Sequence, residues 1–287
     1  MSGDVGLFGP GSVTWRLHQE PILLLGGLRS LYLQALHPRA VTAVAQNSRY
    51  RADPWGRLTR TSAYVGTVIW GTTAEAEAAA LRVRRMHARM RAVDPRTGEP
   101  FRIDEPGLLR WVHVAEVESF LTTAVRAGVR LTPAEIDGYY TEQLKAAELM
   151  GLDPATVPAT ADEVSAYYDE TLPSLALSRD GVETALFLTV PSVPENWGGR
   201  AFRLGLTLGP TRWAYFGVAA TAMAMLPPWA RRLYGGLGLP TTDLTADLSA
   251  RGLRFLLSTV LATIPRSLQV TPIREAALAR AAAAAVL

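Results

Sequence analysis

The stretch "PILLLGGLRSLYLQAL", residues 21–36, is one of the two longest apolar runs in the sequence. Arg29 interrupts it, and it is shorter than the about 20 residues that a helix needs to cross a bilayer. The other run, "WAYFGVAATAMAMLPPW" at 213–229, meets two prolines before it reaches that length. Both stretches therefore predict helices buried in a protein core. A peripheral membrane contact, with Trp213 and Trp229 as interfacial anchors, is kept as an alternative.

Hydrophobic periodicity predicts helix for almost every other segment too. Capping signals mark several starts: Asp53-Pro54, "TPAE" at 132–135 and "TADE" at 160–163. Strand signals are confined to the short segments "PFRI" (100–103) and "LFLTV" (186–190). No repeat and no Ser- or Gly-rich linker divides the chain, so we predict an all-α fold, a single multi-helix domain over residues 1–287. The predicted helices lie near residues 21–36, 38–48, 54–70, 73–92, 106–127, 132–150, 160–171, 181–188, 195–206, 210–226, 228–234, 243–262 and 271–286.

The amino-acid composition excludes several classes of binding partner and cofactor. The net charge is only +3, and arginines alternate with acidic residues along the chain, so we expect no nucleic-acid partner. The chain has no cysteine, which excludes disulfides, thiolate nucleophiles, zinc fingers, iron–sulfur clusters and thiolate-ligated haem. The first twenty residues lack the pattern of a secretory signal, and we therefore expect a cytoplasmic location.

The segment "LRVRRMHARMRAV", residues 81–93, carries one of the four histidines. At about 100° per residue, His87 falls in the same sector as the apolar Val83, Met86 and Met90, while the arginines occupy the rest of the circumference. His87 is therefore predicted to face the interior. From periodicity alone, a hydrogen-bonded core histidine is favoured over a ligand.

The other three histidines receive structural interpretations from the residues around them. His113 lies on the strongly apolar helix "LLRWVHVAEVESF" and is interpreted in the same way as His87. His37 ends one helix before Pro38 opens the next, which favours a structural hydrogen bond. His18 lies in a Gly- and Pro-containing N-terminal arm and is predicted to face solvent.

Two constellations could carry chemistry. Arg57, Thr61 and Tyr64 recur at helical spacing on one face that continues into apolar residues, with Arg60 one position away. Arg57 would enter an apolar neighbourhood, where its charge needs a carboxylate or an anionic cofactor as partner. His113 and Glu116, three residues apart, could join His87 in a non-haem metal site, although the second His–Glu pair of a di-iron bundle is missing.

Four segments, taken in order, resemble a known family. They are "HPRAVTAVAQNSRYRADPWGRLTRTSAYVGTVIWG" (37–71), "VRRMH" (83–87), "GLLRWVHVAEVESFL" (107–121) and "LTPAEIDGYYTEQLKAAELMGL" (131–152). The chain is similar to the family of bacterial rubber oxygenases (latex-clearing proteins) and the membrane-associated oxygenase of the mycophenolic acid pathway. The resemblance extends over about residues 20–260.

The resemblance implies a globin-like helical core that holds a non-covalent haem b. The family's axial histidine follows Arg-x-Met, which makes His87 the iron ligand. The distal Arg-x-x-Lys-Thr pattern of the rubber oxygenases maps onto Arg57, Arg60 and Thr61. Because arginine stays protonated and cannot ligate iron, Arg60 in the lysine position implies an open or water-bound distal site. The family's glutamate base has no counterpart before Arg57.

One further position follows from the same resemblance, and two follow from the helical positions of the arginines around His87. His113 matches a second family histidine and is expected to support the haem pocket. Arg84 and Arg91 flank the apolar sector of His87 and are expected to meet the haem propionates.

The expected function is a haem-dependent oxygenase that brings dioxygen to a hydrophobic small molecule, such as an isoprenoid or natural-product intermediate. Arg57 and Thr61 would position dioxygen or substrate by hydrogen bonding. The alternatives are a haem- or lipophile-binding protein without turnover, and a non-haem metalloenzyme that uses His87, His113 and Glu116.

Overall fold

The computed structural model describes residues 4–48, 53–190, 209–235, 242–264 and 270–284. These residues form thirteen α-helices and a single two-stranded hairpin, so the predicted all-α class is confirmed. The helices are α1 (Val13–Leu17), α2 (Leu23–Gln34), α3 (Pro38–Asn47), α4 (Pro54–Trp70), α5 (Thr73–Arg89), α6 (Pro106–Arg126), α7 (Pro133–Leu149), α8 (Ala161–Thr171), α9 (Arg179–Thr189), α10 (Pro210–Ala224), α11 (Pro228–Tyr234), α12 (Asp243–Thr263) and α13 (Pro272–Ala284). The strands are β1 (Arg91–Val93) and β2 (Pro100–Arg102).

Local capping explains why the helices begin where the sequence predicts. Thr72 and Thr132 each form a capping box with the glutamate three residues later. Asp53 accepts a hydrogen bond from the backbone N–H of Gly56, and Pro54 occupies the first turn of α4. These contacts lie within four residues along the chain and are therefore readable from the sequence.

Two predicted segments differ from the structure, and a third lies outside the described residues. The helix predicted over 73–92 ends at Arg89, because Met90 is extended (φ −89°, ψ 143°) and Arg91–Val93 pairs with Pro100–Arg102 instead. The predicted strand "PFRI" is therefore confirmed, whereas "LFLTV" lies inside α9, which Ser178 caps. The helix predicted near 195–206 lies outside the described residues.

The core is centred on the contact between α2 and α6. A Cβ on Gly26 would lie 3.1 Å from both the Phe120 ring and the Ser119 carbonyl oxygen, so glycine permits this close approach. Arg29 is buried at the same interface, with only 1% of its side chain exposed. Its two terminal nitrogens donate to the carboxylate of Glu118 at 2.6 and 2.9 Å.

Arg29 and Glu118 also form hydrogen bonds with residues outside the pair. The Arg29 Nε donates to the carbonyl of Met225 at 3.0 Å, which ties α2 to the end of α10. The Tyr168 hydroxyl of α8 donates to Glu118 at 3.2 Å, and the Ser119 hydroxyl lies 2.6 Å from Arg29. One buried charge pair thus connects four helices. Among the described residues, no helix combines the length and the apolar character that crossing a membrane requires.

Removing one partner of this pair should destabilise the whole fold. Glu118→Gln leaves the Arg29 charge buried without its counter-charge, and we expect the free energy of unfolding to fall by about 3 kcal/mol or more. Urea unfolding followed by circular dichroism measures this loss. The control is Arg179→Gln on α9, where the arginine side chain is 92% exposed and pairs with Glu183 at i,i+4. It should cost less than about 0.5 kcal/mol, and equal losses in the two variants would contradict this interpretation.

Candidate functional site

Helices α4 and α5 are buried in the protein at one end and exposed to solvent at the other. Gly71 and Thr72 link the two helices, which contact each other. The apolar residues next to the link are buried, namely Val68, Ile69, Trp70, Ala76, Ala79 and Ala80. At the end remote from the link, Leu58 is 48% exposed and Met86 is 47% exposed. The pair therefore presents incompletely covered apolar side chains at its remote end.

His87 lies in the last turn of α5, at this remote end. Its side chain is half-buried, and its Nδ1 atom is buried with no hydrogen-bond partner. Burial lowers the pKa of His87 below its ordinary value, although the nearby carboxylate of Asp104 acts in the opposite direction. The imidazole is therefore neutral at neutral pH, the form that can bind a metal through a ring nitrogen. Met86, predicted to share the inward sector, is instead largely exposed, because the core does not extend past Ala80.

Arg57 lies in the first turn of α4, which is also remote from the link. Its side chain is half-buried, as the apolar neighbourhood predicts. Arg60 is exposed and forms an ion pair with Asp53 at 3.2 Å, and Thr61 is exposed as well. The hairpin topology thus brings Arg57 and His87 to the same end of the helix pair, while Arg60 and Thr61 are open to solvent.

The two arginines expected at the haem propionates lie on the surface near His87. Arg84 is exposed and lies over Gly151, where an added Cβ would be 3.3 Å from the Arg84 Nε. Arg91 donates from Nη1 to the carbonyls of Ala88 and Met90, both at 2.9 Å, and so caps the end of α5.

His113 and Glu116 lie deeper, on α6. Burial lowers the pKa of His113 to about 4 and raises the pKa of Glu116 to about 7. Burial raises the pKa of Tyr64 on α4 and of Tyr139 on α7. The negative charge of the nearby Glu116 carboxylate raises both pKa values further. His87, His113 and Glu116 are not brought together, since the described residues contain no group of three His, Asp or Glu that could hold a metal ion. The geometry therefore does not support the non-haem alternative.

A protein-family model described as "ER-bound oxygenase mpaB/B'/Rubber oxygenase, catalytic domain" matches residues 15–282. The chain belongs to this family. Since the model covers nearly the whole sequence and describes a catalytic domain, the protein is assigned to the oxygenases. No curated protein and no solved structure matches the chain.

Within this oxygenase domain, the interpretation of His18 was wrong. The ring was predicted to face solvent, but it packs on Phe120 at 5.1 Å and on Tyr139 at 6.3 Å between ring centroids. Burial lowers the pKa of His18 to about 3. Helix α1, which was not predicted, carries His18 at its end and is held by Glu142, whose carboxylate accepts from the backbone N–H groups of Val13 and Thr14.

His37 is placed as its sequence context predicts. It is the N-cap of α3, and its Nδ1 accepts a hydrogen bond from the backbone N–H of Ala40 at 3.4 Å. A histidine with this structural role provides a matched control for variants of His87.

The raised pKa of the partly buried Glu116 predicts that the stability of the protein depends on pH. Its pKa is raised from 4.5 to about 7, so the unfolded chain ionises before the native state does as the pH rises. Stability is therefore lost between pH 4.5 and 7, and above that range the full penalty, about 3 kcal/mol, applies. Glu116→Gln should raise the free energy of unfolding by this amount at pH 8 and leave it unchanged at pH 4.

Urea titrations at the two pH values test this expectation. Glu148→Gln, on the exposed side of α7, is the control and should show no gain at either pH. A gain for Glu116→Gln that is equal at pH 4 and pH 8 would mean that its charge is not responsible.

Proposed function

We propose that the protein is a haem b-dependent oxygenase that acts on a hydrophobic small molecule, with His87 as the axial iron ligand. The observation that carries the proposal is the state of His87. It is neutral, half-buried and without a hydrogen bond to either ring nitrogen among the described residues. An unbonded imidazole in a folded protein is unusual, because buried polar groups normally find partners. Coordination of iron would satisfy one of the two nitrogens.

The surroundings of His87 fit a flat apolar cofactor. Half-buried Val83 and the exposed Met86 lie on the same sector of α5 as His87, half-buried Met90 follows the end of this helix, and Leu58 is exposed on α4. A porphyrin bound at this end would cover them and remove their apolar surface from water. When bound, haem would supply the iron chemistry that activates dioxygen. Arg84 and Arg91 are the nearby arginines that could reach its carboxylates.

We assign the residues on α4 to the binding of dioxygen and substrate. Arg57 keeps a fixed positive charge in a half-buried position, so it can donate hydrogen bonds to dioxygen or to a polar group of the substrate. Arg60 cannot ligate iron, and its ion pair with Asp53 holds it at the surface. In this proposal the exposed Thr61 helps to position dioxygen or substrate by hydrogen bonding. The apolar side chains around the site favour a substrate with a hydrocarbon body, such as an isoprenoid or natural-product intermediate.

The absorbance spectrum of protein expressed with haem supply tests the iron ligand. Wild type should carry a Soret band, and His87→Ala should lose it or retain about one tenth of it or less after gel filtration. His37→Asn is the matched control, because asparagine also caps helices well, and it should keep the full band. Circular dichroism checks that all three proteins are folded. A full and unshifted Soret band in folded His87→Ala would rule out this ligand.

Arg57 gives a second test of the same site. Arg57→Ala should leave haem binding intact and weaken the affinity of the reduced protein for dioxygen by about tenfold, the value of one charge-assisted hydrogen bond. Arg82→Ala, an exposed arginine on α5, serves as the control and should change nothing. Oxygen titration by absorbance measures both. An unchanged affinity in Arg57→Ala would remove Arg57 from the distal side.

A further inference from the structure

The structure contains a cleft whose lining residues are different from those assigned to haem. It is a surface cleft of about 270 Å³ where the start of α3, the start of α6 and the end of α8 meet. Its walls combine apolar surface, mainly from half-buried Tyr167, with several polar groups. Leu108 and Trp111 also line the cleft, but both are buried. None of the residues discussed for the oxygenase site lines it.

The most unusual group in the cleft is Arg110. Its guanidinium makes no hydrogen bond and no ion pair with any residue that the structure describes, and its Nε is fully buried without an acceptor. Arginine stays charged at every physiological pH, so it cannot relieve this cost by losing a proton. A counter-charge from outside the chain would compensate it.

His37 and Gly107, which also line the cleft, each carry a donor without an acceptor among the described residues. The Nδ1 of His37 accepts from Ala40, so the neutral ring carries its proton on Nε2, which has no described partner. Gly107 lies in the first turn of α6, where Glu105 gives no side-chain cap and the Gly107 N–H makes no backbone hydrogen bond in the described structure. The cleft thus offers donors from three separate positions.

The acidic residues of the cleft do not supply the missing acceptor. Glu105 is engaged by Arg39, whose Nη2 donates to it at 2.8 Å. Glu170 is exposed on α8, and within the described parts of the chain it forms no ion pair with Arg110; water screens its charge.

We propose that this cleft binds the oxyanion group, a carboxylate or a phosphate, of a small organic molecule. Arg110 supplies the counter-charge, while the His37 Nε2–H and the Gly107 N–H donate hydrogen bonds. The half-buried ring of Tyr167 contacts the apolar body of the ligand. The site is independent of haem binding and would take a second small molecule, either a regulator or a co-substrate.

Isothermal titration calorimetry with sodium phosphate and sodium acetate as probes tests this proposal at constant ionic strength, set with sodium chloride. Wild type should bind at least one probe saturably with one site per chain, and the tighter probe identifies the oxyanion. Arg110→Gln should weaken binding by about tenfold to a hundredfold, and His37→Asn by less. Arg179→Gln, the exposed control, should bind as wild type does.

A further variant separates this site from the haem site. His87→Ala should bind the probe with the affinity of wild type, whether or not haem is lost. The proposal is overturned if neither probe binds to wild type, if Arg110→Gln binds as tightly as wild type, or if His87→Ala abolishes binding.

Discussion

The buried ion pair between Arg29 and Glu118 is the contact on which the fold depends most. Two charges in an apolar core are tolerated only when geometry and hydrogen bonds compensate their desolvation. Here the bidentate contact, the Met225 carbonyl and the hydroxyls of Ser119 and Tyr168 provide that compensation. Since these groups come from separate parts of the chain, the pair also fixes how α2, α6, α8 and the end of α10 meet. Of the helices that carry the candidate site, α4 contacts α13 and α5 contacts α7, which in turn contacts α6.

The α4–α5 pair contributes a different property, an apolar surface that the chain does not fully cover. Near Gly71 and Thr72 the two helices are packed into the protein, and toward Arg57 and His87 they are not. A fold that leaves such a surface beside a neutral, unbonded imidazole is well suited to a planar apolar cofactor with a metal at its centre. The proposed oxyanion cleft at α3, α6 and α8 differs from this apolar surface, because it is a surface cleft that contains the fixed positive charge of Arg110.

The sequence predicts those features that depend on neighbours along the chain. Helix starts at Asp53, Thr72 and Thr132 follow from capping. Periodicity predicts the partial burial of His87 on α5, but not the exposure of Met86. Features that depend on distant residues could not be predicted in this way. Arg29 reads as an interruption of an apolar run because its partner Glu118 is 89 residues away.

His18 is an example of the same limit. It reads as part of a solvated arm because Phe120 and Tyr139 cover it only in the folded state. Arg110 carries no signal in the sequence, since only the structure reveals a guanidinium without an acceptor. The family resemblance supplied what periodicity could not for the site, namely the role proposed for His87.

The central claim, that His87 ligates the iron of a haem, is tested most directly by replacing its side chain with a free ligand. His87→Gly, reconstituted with haem, should show a weak and shifted Soret band, and added imidazole should restore the wild-type position by binding in the vacated space. His37→Gly, treated identically, should show the wild-type spectrum with and without imidazole. A His87→Gly protein whose spectrum equals that of wild type before imidazole is added would contradict the account.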